Sequence, residues 1–326
     1  MRIKISTRLN SSNPDGDDEL DMTPMEGPLV AAGDASLFAS LASVPSVTAD
    51  ECVYCGDKGH RTKEHVIPNG WSGPLIIYEG SCDACQFKTQ NFERAALRQG
   101  AMARVRMVRG TKSYSKHRGV PKAIDVTFVK DGQPVIETIA TTSVPLVLGF
   151  PLFSLPSLLS GGDQRQLNLI GTATTIFGPD PDQFLKEHGA TKMIAKEEHV
   201  NPTPFARTMA KIAYCFAWVD GVLEFVDGHT DLVHAFMDEP DLLGTFVGTK
   251  PAPFQQFQGR DFRVQYLADD LRFPIMEVQP FPETPAPTYL VVLGTYRGVR
   301  ARRQFRTQLS KRYPKKYDTP PIVTVL

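Results

Sequence analysis

The sequence predicts an α+β fold in which a small cysteine-framed module precedes a larger α+β region, and three observations carry that expectation. Two Cys-x-x-Cys pairs, Cys52-Val-Tyr-Cys55 and Cys82-Asp-Ala-Cys85, bracket two short apolar runs and open a helix. Beyond residue 120, strand-like and helical runs are interleaved. One helix, over 204–219, sets Phe205, Met209, Ile212 and Phe216 at i, i+4, i+7 and i+11, a stripe that faces a core rather than a cofactor.

At 326 residues and 41% hydrophobic, the chain has room for one large or two modest globular domains. Basic and acidic residues balance at 36 each, so net charge points to no polyanionic partner. Their distribution says more. Every charged residue over 94–118, and again over 297–316, is basic, and such blocks either face solvent or bind phosphate. No apolar run approaches the ~20 residues that span a bilayer, and no export-type leader is evident, so no membrane partner and a cytoplasmic location are expected. In that compartment two paired sets of cysteines favour metal over disulfides. Cys215, in the apolar stretch 212–219, reads as a core residue.

Residues 1–48 read as a flexible acidic, Ser-rich arm, too poor in periodic apolar residues to build a core. Residues 49–118 form the module: a cysteine knuckle, a strand around 65–67, a Gly/Pro turn, a strand over 75–78, a second knuckle and a helix over 83–100. Residues 119–326 make the larger α+β domain, of undisclosed role. It opens on a hairpin, 123–129 and 133–142, turned at Asp131-Gly132. Strands over 167–176, 262–267, 273–278 and 289–296 and helices over 181–188, 204–219 and 231–237 follow. No GxGxxG, Walker A or G-x-S-x-G string occurs, so nucleotide-dependent and serine-hydrolase readings have no local support.

Cys52, Cys55, Cys82 and Cys85 supply four soft ligands, the set for a closed tetrahedral Zn²⁺ site of structural type. Between the pairs lies Lys63-Glu64-His65-Val66-Ile67-Pro68, a carboxylate beside an imidazole. Adjacent strand residues point to opposite faces, so Glu64 and His65 do not act as one unit from the same side.

The string CVYCG, then KEHVIP, then GW-SG, an apolar strand and SCDACQFKTQNFERAAL resembles the HNH endonucleases of the ββα-metal class. The closest pattern is the bacterial subgroup with Glu-His-x-x-Pro, in which a Thr and a Phe-Glu pair, here Thr89 and Phe92-Glu93, follow the second knuckle. The resemblance covers residues 51–110. It implies that His65 is the general base that deprotonates the attacking water, a task suited to a pKa near ~6.5. It implies that Glu64 binds a catalytic Mg²⁺ or Mn²⁺, with zinc only clamping the fold.

Where many of these enzymes have Asn as a second metal ligand, Gln86 stands, and the usual middle Asn has no clear match. On a regular helix Gln86, Thr89, Gln90 and Glu93 share a face, which makes Gln90 a candidate ligand. Glu93 lies ~10 Å along the axis from Gln86, too far to share an ion, and reads as a structural partner for an arginine. Arg94, Arg98, Arg104, Arg106, Arg109 and Lys112, with Tyr114 interleaved, are candidate phosphate contacts. His60 reads as a polar loop residue and Trp71 as packing for the hairpin. The expected activity is divalent-metal-dependent hydrolysis of DNA. The rival is a noncatalytic nucleic-acid-binding module on a degenerate HNH scaffold.

Overall fold

A computed structural model describes residues 46–71, 73, 75–98, 101–108, 122–194, 198–251, 256, 262–267, 272–312 and 322–325. The arm over 1–45, with Arg109, Lys112 and Tyr114, lies outside the described residues, as do the side chains of Arg98 and Arg104.

Val47–Thr48 (β1), Arg61–His65 (β2) and Ile76–Cys82 (β3) form a sheet in the order β1-β3-β2, with β1 parallel and β2 antiparallel to β3. Val47 and Thr48, assigned to the arm from sequence, thus belong to the sheet. Helix α1 (Asp83–Arg98) follows β3 with no loop, and Asp83 in its first turn complements the positive end of the helix dipole. The strand–strand–helix order is present. The first strand, however, ends at His65 because Pro68 and a 3₁₀ turn over Asn69–Trp71 carry the chain away, while Val66 and Ile67 are buried beyond it.

Pairing of β2 with β3 is irregular: Thr62 faces Ser81 and Glu64 faces Ile77, so three residues of β3 oppose Lys63 alone. This bulge bends β3 at Glu79 (φ 53°). Gly80 is required there, since a Cβ would stand 2.9 Å from the Cβ of Glu64.

Helix α2 (Ala101–Val108) precedes β4 (Ala123–Lys130) and β5 (Gln133–Ala140), the expected hairpin. Asp131 (φ 48°) and Gly132 (φ 77°) both take the left-handed conformation of a two-residue hairpin turn. Then come β6 (Leu146–Phe153), α3 (Ser157–Ser160), β7 (Leu169–Phe177), α4 (Pro181–Glu187), β8 (Lys192–Ile194), β9 (Glu198–His199) and α5 (Pro202–Val219). The chain continues through β10 (Val226–Asp227), α6 (His229–Met237), α7 (Leu243–Phe246), β11 (Val247–Thr249), β12 (Phe262–Leu267), β13 (Ile275–Pro280), β14 (Tyr289–Val292) and β15 (Thr295–Tyr296), to α8 (Val299–Arg312) and β16 (Ile322–Val325). Two three-stranded sheets, β5-β4-β8 and β7-β6-β9, accompany a five-stranded one, β11-β14-β13-β12-β16, and a short pair, β10-β15.

Several elements have no counterpart in the sequence reading, and two of them, β6 and α8, show why. Strand β6, LVLGFPLF, contains Gly149 and Pro151, which weaken a strand reading. Pro151 is tolerated because β9 pairs only with Leu148 and Gly149, leaving β7 as the one neighbour at that position. Helix α8 was seen only as a charge run, yet Ala301, Phe305 and Leu309 bury one face at i, i+4 and i+8.

Helix α5 is the axis of the core. Its predicted stripe is there, but Phe205, Ala206 and every residue from Thr208 through Ala217 are buried, so the helix is enclosed all round. One continuous apolar cluster joins Val53, Ile77 and Phe92 of the module to Met209, Phe236, Phe262 and Tyr289. Trp71 packs across that junction, its ring 4.7 Å from Phe262, rather than on the hairpin. The line drawn at 118/119 from sequence is therefore no boundary of the core.

Candidate metal centre and histidine site

The four predicted cysteine ligands converge. Cys52, Cys55, Cys82 and Cys85 bring their sulfurs within 4.8 Å of one another, and those of Cys55 and Cys82 are 3.7 Å apart. A tetrahedral Zn²⁺ with Zn–S of ~2.3 Å needs S···S edges of about 3.8 Å, so the cluster fits the ion. The first knuckle is shaped by Cys52 N–H donating to the Asp57 carbonyl (2.8 Å) and Gly56 N–H to the Cys52 carbonyl (2.8 Å), with Gly56 at φ 74°. In the metal-free cluster one proton is shared unevenly: hydrogen bonding from the Cys85 thiol, then from backbone amides including Cys82 N–H (3.4 Å), holds the Cys52 thiol below its usual pKa, while the same contact pushes the Cys85 thiol up and burial pushes up that of Cys55. An ion held by all four would have no open position, as in metal sites of structural type.

Glu64 and His65 do face opposite ways. Glu64 is 4% exposed, and its carboxylate Oε1 lies 2.6 Å from Lys211 Nζ on α5. Lys211 is wholly buried in turn. Its ammonium also reaches Glu93 Oε1 at 3.0 Å, donates to the Val66 carbonyl at 3.3 Å, and donates to the carbonyl of His65 itself. The Glu93 contact is a charge contact without hydrogen-bond alignment. Burial alone would discharge Lys211, but Glu64 and Glu93 outweigh it and raise its pKa. This is a correction to Glu64 as a cation ligand: its carboxylate is already committed, and a carboxylate lining a buried ion pair is not free to bind Mg²⁺ or Mn²⁺. Glu93 is structural as expected, with a lysine rather than an arginine as its partner.

Two carboxylates against one ammonium leave an excess negative charge when both ionise. Burial, with Glu64 adding repulsion against the pull of Lys211, pushes the Glu93 carboxyl up to about 7. A folded-state pKa above the unfolded value means the native form holds the extra proton, so this group's contribution to stability falls as pH rises from about 4.5 to about 7. Glu93→Gln, which mimics the protonated carboxyl, is expected to flatten that slope and to cost less at pH 7 than Glu64→Gln. Urea denaturation of both variants across that window checks it; an unchanged slope would exclude Glu93 as its source.

His65 is half-buried, and its Nδ1 is enclosed without a well-formed hydrogen bond. Burial first, then the charge of Lys211, lowers its pKa below 6.5, with Glu64 and the Gly73 backbone pulling the other way. The imidazole is thus neutral at pH 7. Gly73 packs so closely on Ile67 that a Cβ would meet the Ile67 carbonyl at 2.4 Å.

On α1, Gln86 is half-buried, Thr89 buried, Gln90 exposed and Glu93 turned inward, so these four do not make one accessible face. Among the described residues, the four cysteines are the one group of His, Cys, Asp and Glu side chains close enough to hold a metal. Of the basic candidates, Arg94 is exposed and Arg106 is partly buried with partners of its own. His60 is exposed and meets Asp83 at 3.3 Å. Cys215 is buried as expected, its thiol pushed up to about 12 by burial. Sequence reasoning missed Lys211, although a lysine in the middle of an apolar helix was a visible signal.

No family model, curated protein or solved structure matches the chain. Among the described residues no helix is long and apolar enough to cross a membrane.

Proposed function

We propose that the protein hydrolyses phosphodiester bonds in nucleic acid, DNA foremost, through an HNH-type module clamped by zinc on its four cysteines. The observation that carries this reading is His65: a neutral, half-buried imidazole at the end of β2, held through its own carbonyl by Lys211. In this role His65 accepts the proton of the water that attacks phosphorus. Exposed basic side chains such as Arg94 supply charge for the phosphate backbone. The HNH resemblance would add Mg²⁺ or Mn²⁺ on Glu64, Gln86 and Gln90; the Glu64–Lys211 pair does not fit that role. Thiolates that ligate metal rather than forming disulfides suit a reducing, cytoplasmic setting.

The test is relaxation of supercoiled plasmid by the zinc-loaded protein with Mg²⁺, with Mn²⁺ and with no divalent ion added. His65→Ala is expected to slow cleavage ~100-fold or more. The acid limb of the rate profile should rise with an apparent pKa below 6.5 and level off by neutral pH, because the lowered imidazole pKa frees the base early. Absence of cleavage in every arm, or cleavage indifferent to His65→Ala, sinks the assignment. The second reading, a noncatalytic nucleic-acid-binding protein on the same scaffold, is favoured by the Glu64–Lys211 pair and by Gln86. It predicts salt-sensitive DNA binding without cutting.

A further inference from the structure

We propose that the ammonium of Lys211 is itself the cation of this module, filling from α5 the oxygen-lined niche beside Glu64 that the HNH resemblance reserves for a divalent ion. The niche is built of oxygens: Glu64 Oε1 at 2.6 Å, Glu93 Oε1 at 3.0 Å, the Val66 carbonyl at 3.3 Å and the His65 carbonyl. These separations suit an ammonium, whereas Mg²⁺ draws its ligands in to ~2.0–2.1 Å in octahedral order. Lys211 is 0% exposed and fixed to an enclosed helix, so it is a permanent occupant with no solvent to retreat into. Gly80 leaves the space that the Glu64 stem fills, since a Cβ there would stand 2.9 Å from the Cβ of Glu64. A cation tethered by a side chain does the positional work of a metal: it neutralises Glu64 and pins the backbone that presents His65. This holds for a cutting and a non-cutting module alike, so it stands or falls separately from the hydrolase reading.

Mn²⁺ binding to the zinc-loaded full-length chain tests it, followed by electron paramagnetic resonance of free Mn²⁺. The wild type is expected to show no Mn²⁺ site that Glu64→Gln removes, and Mn²⁺ should leave the ring proton resonances of His65 sharp. Lys211→Ala, provided it keeps its zinc and its circular dichroism, should gain about one equivalent of Mn²⁺ that Lys211→Ala/Glu64→Gln lacks. A Glu64-dependent Mn²⁺ site in the wild type, broadening of the His65 signals, or a folded Lys211→Ala that gains no site each overturns the proposal. Should Lys211→Ala fail to fold, the wild-type resonances alone decide, since they need no variant. Plasmid cleavage is read in a separate assay, so loss of the hydrolase reading leaves this result intact.

Discussion

Lys211→Ala is expected to lower the stability of the full chain by about 3–5 kcal/mol, the usual cost of removing one partner from a buried ion pair. Alanine leaves Glu64, 4% exposed, facing the Glu93 carboxyl with nothing between them, and strips the donor from the carbonyls of His65 and Val66. Unsatisfied buried acceptors and a vacated lysine stem add in the same direction. Lys211→Met/Glu64→Gln should recover part of the loss, because replacing a whole buried pair by neutral groups of similar volume is often close to neutral. Urea denaturation of the zinc-loaded proteins measures both. A cost below ~1 kcal/mol for Lys211→Ala would place the ammonium at a surface rather than in a core.

Stripping the metal is the second large perturbation. Structural zinc sites contribute roughly 10–16 kcal/mol of apparent binding energy in isolated zinc-finger peptides, and the four-cysteine cluster joins the first knuckle to the start of α1 in the same manner. Chelation is expected to loosen β1, β2 and β3 and to break the contact of Trp71 with Phe262, 4.7 Å between ring centres. The chain has two tryptophans, Trp71 and Trp218, so a Trp218→Phe background isolates the emission of Trp71, which should shift to the red. Cys55→Ser is the sharper variant. Cys55 is exposed, so its sulfur can be changed without opening a core cavity, and zinc content should fall well below one per chain. Retention of zinc and of blue-shifted emission in Cys55→Ser would rule out the four-thiolate centre.

The sequence made legible whatever depends on short separations. Two Cys-x-x-Cys pairs fix their own geometry through local turns, and the Asp131-Gly132 turn and the α5 stripe are read from neighbouring residues. The fate of Glu64 depends on residues far along the chain. Its motif context, Glu-His-x-x-Pro, speaks for a metal, and only folding shows that α5 runs past with a lysine aimed at it. Trp71 was misassigned for the same reason, since its partners Phe205 and Phe262 lie in the later half. Periodicity likewise understated α5: a stripe tells which face must be buried, not that both faces will be. Charge hid α8, whose buried Ala301, Phe305 and Leu309 are outnumbered by arginines.

The carbonyl of His65 and the ammonium that holds it are 146 residues apart in the chain. At a synthesis rate of ~5–20 residues per second, the strand end of the module waits roughly 7–30 seconds on the ribosome before its lysine is made. In that interval Glu64 and Glu93 have no ammonium to enclose, and water is their better solvent. The knuckles can close on zinc early, because all four thiolates come from residues 52–85, while the neighbouring strand end must stay open. All four thiolates are thus in the chain well before Lys211, and the segment that reads as a self-contained module takes the cation buried against Glu64 from a helix made later.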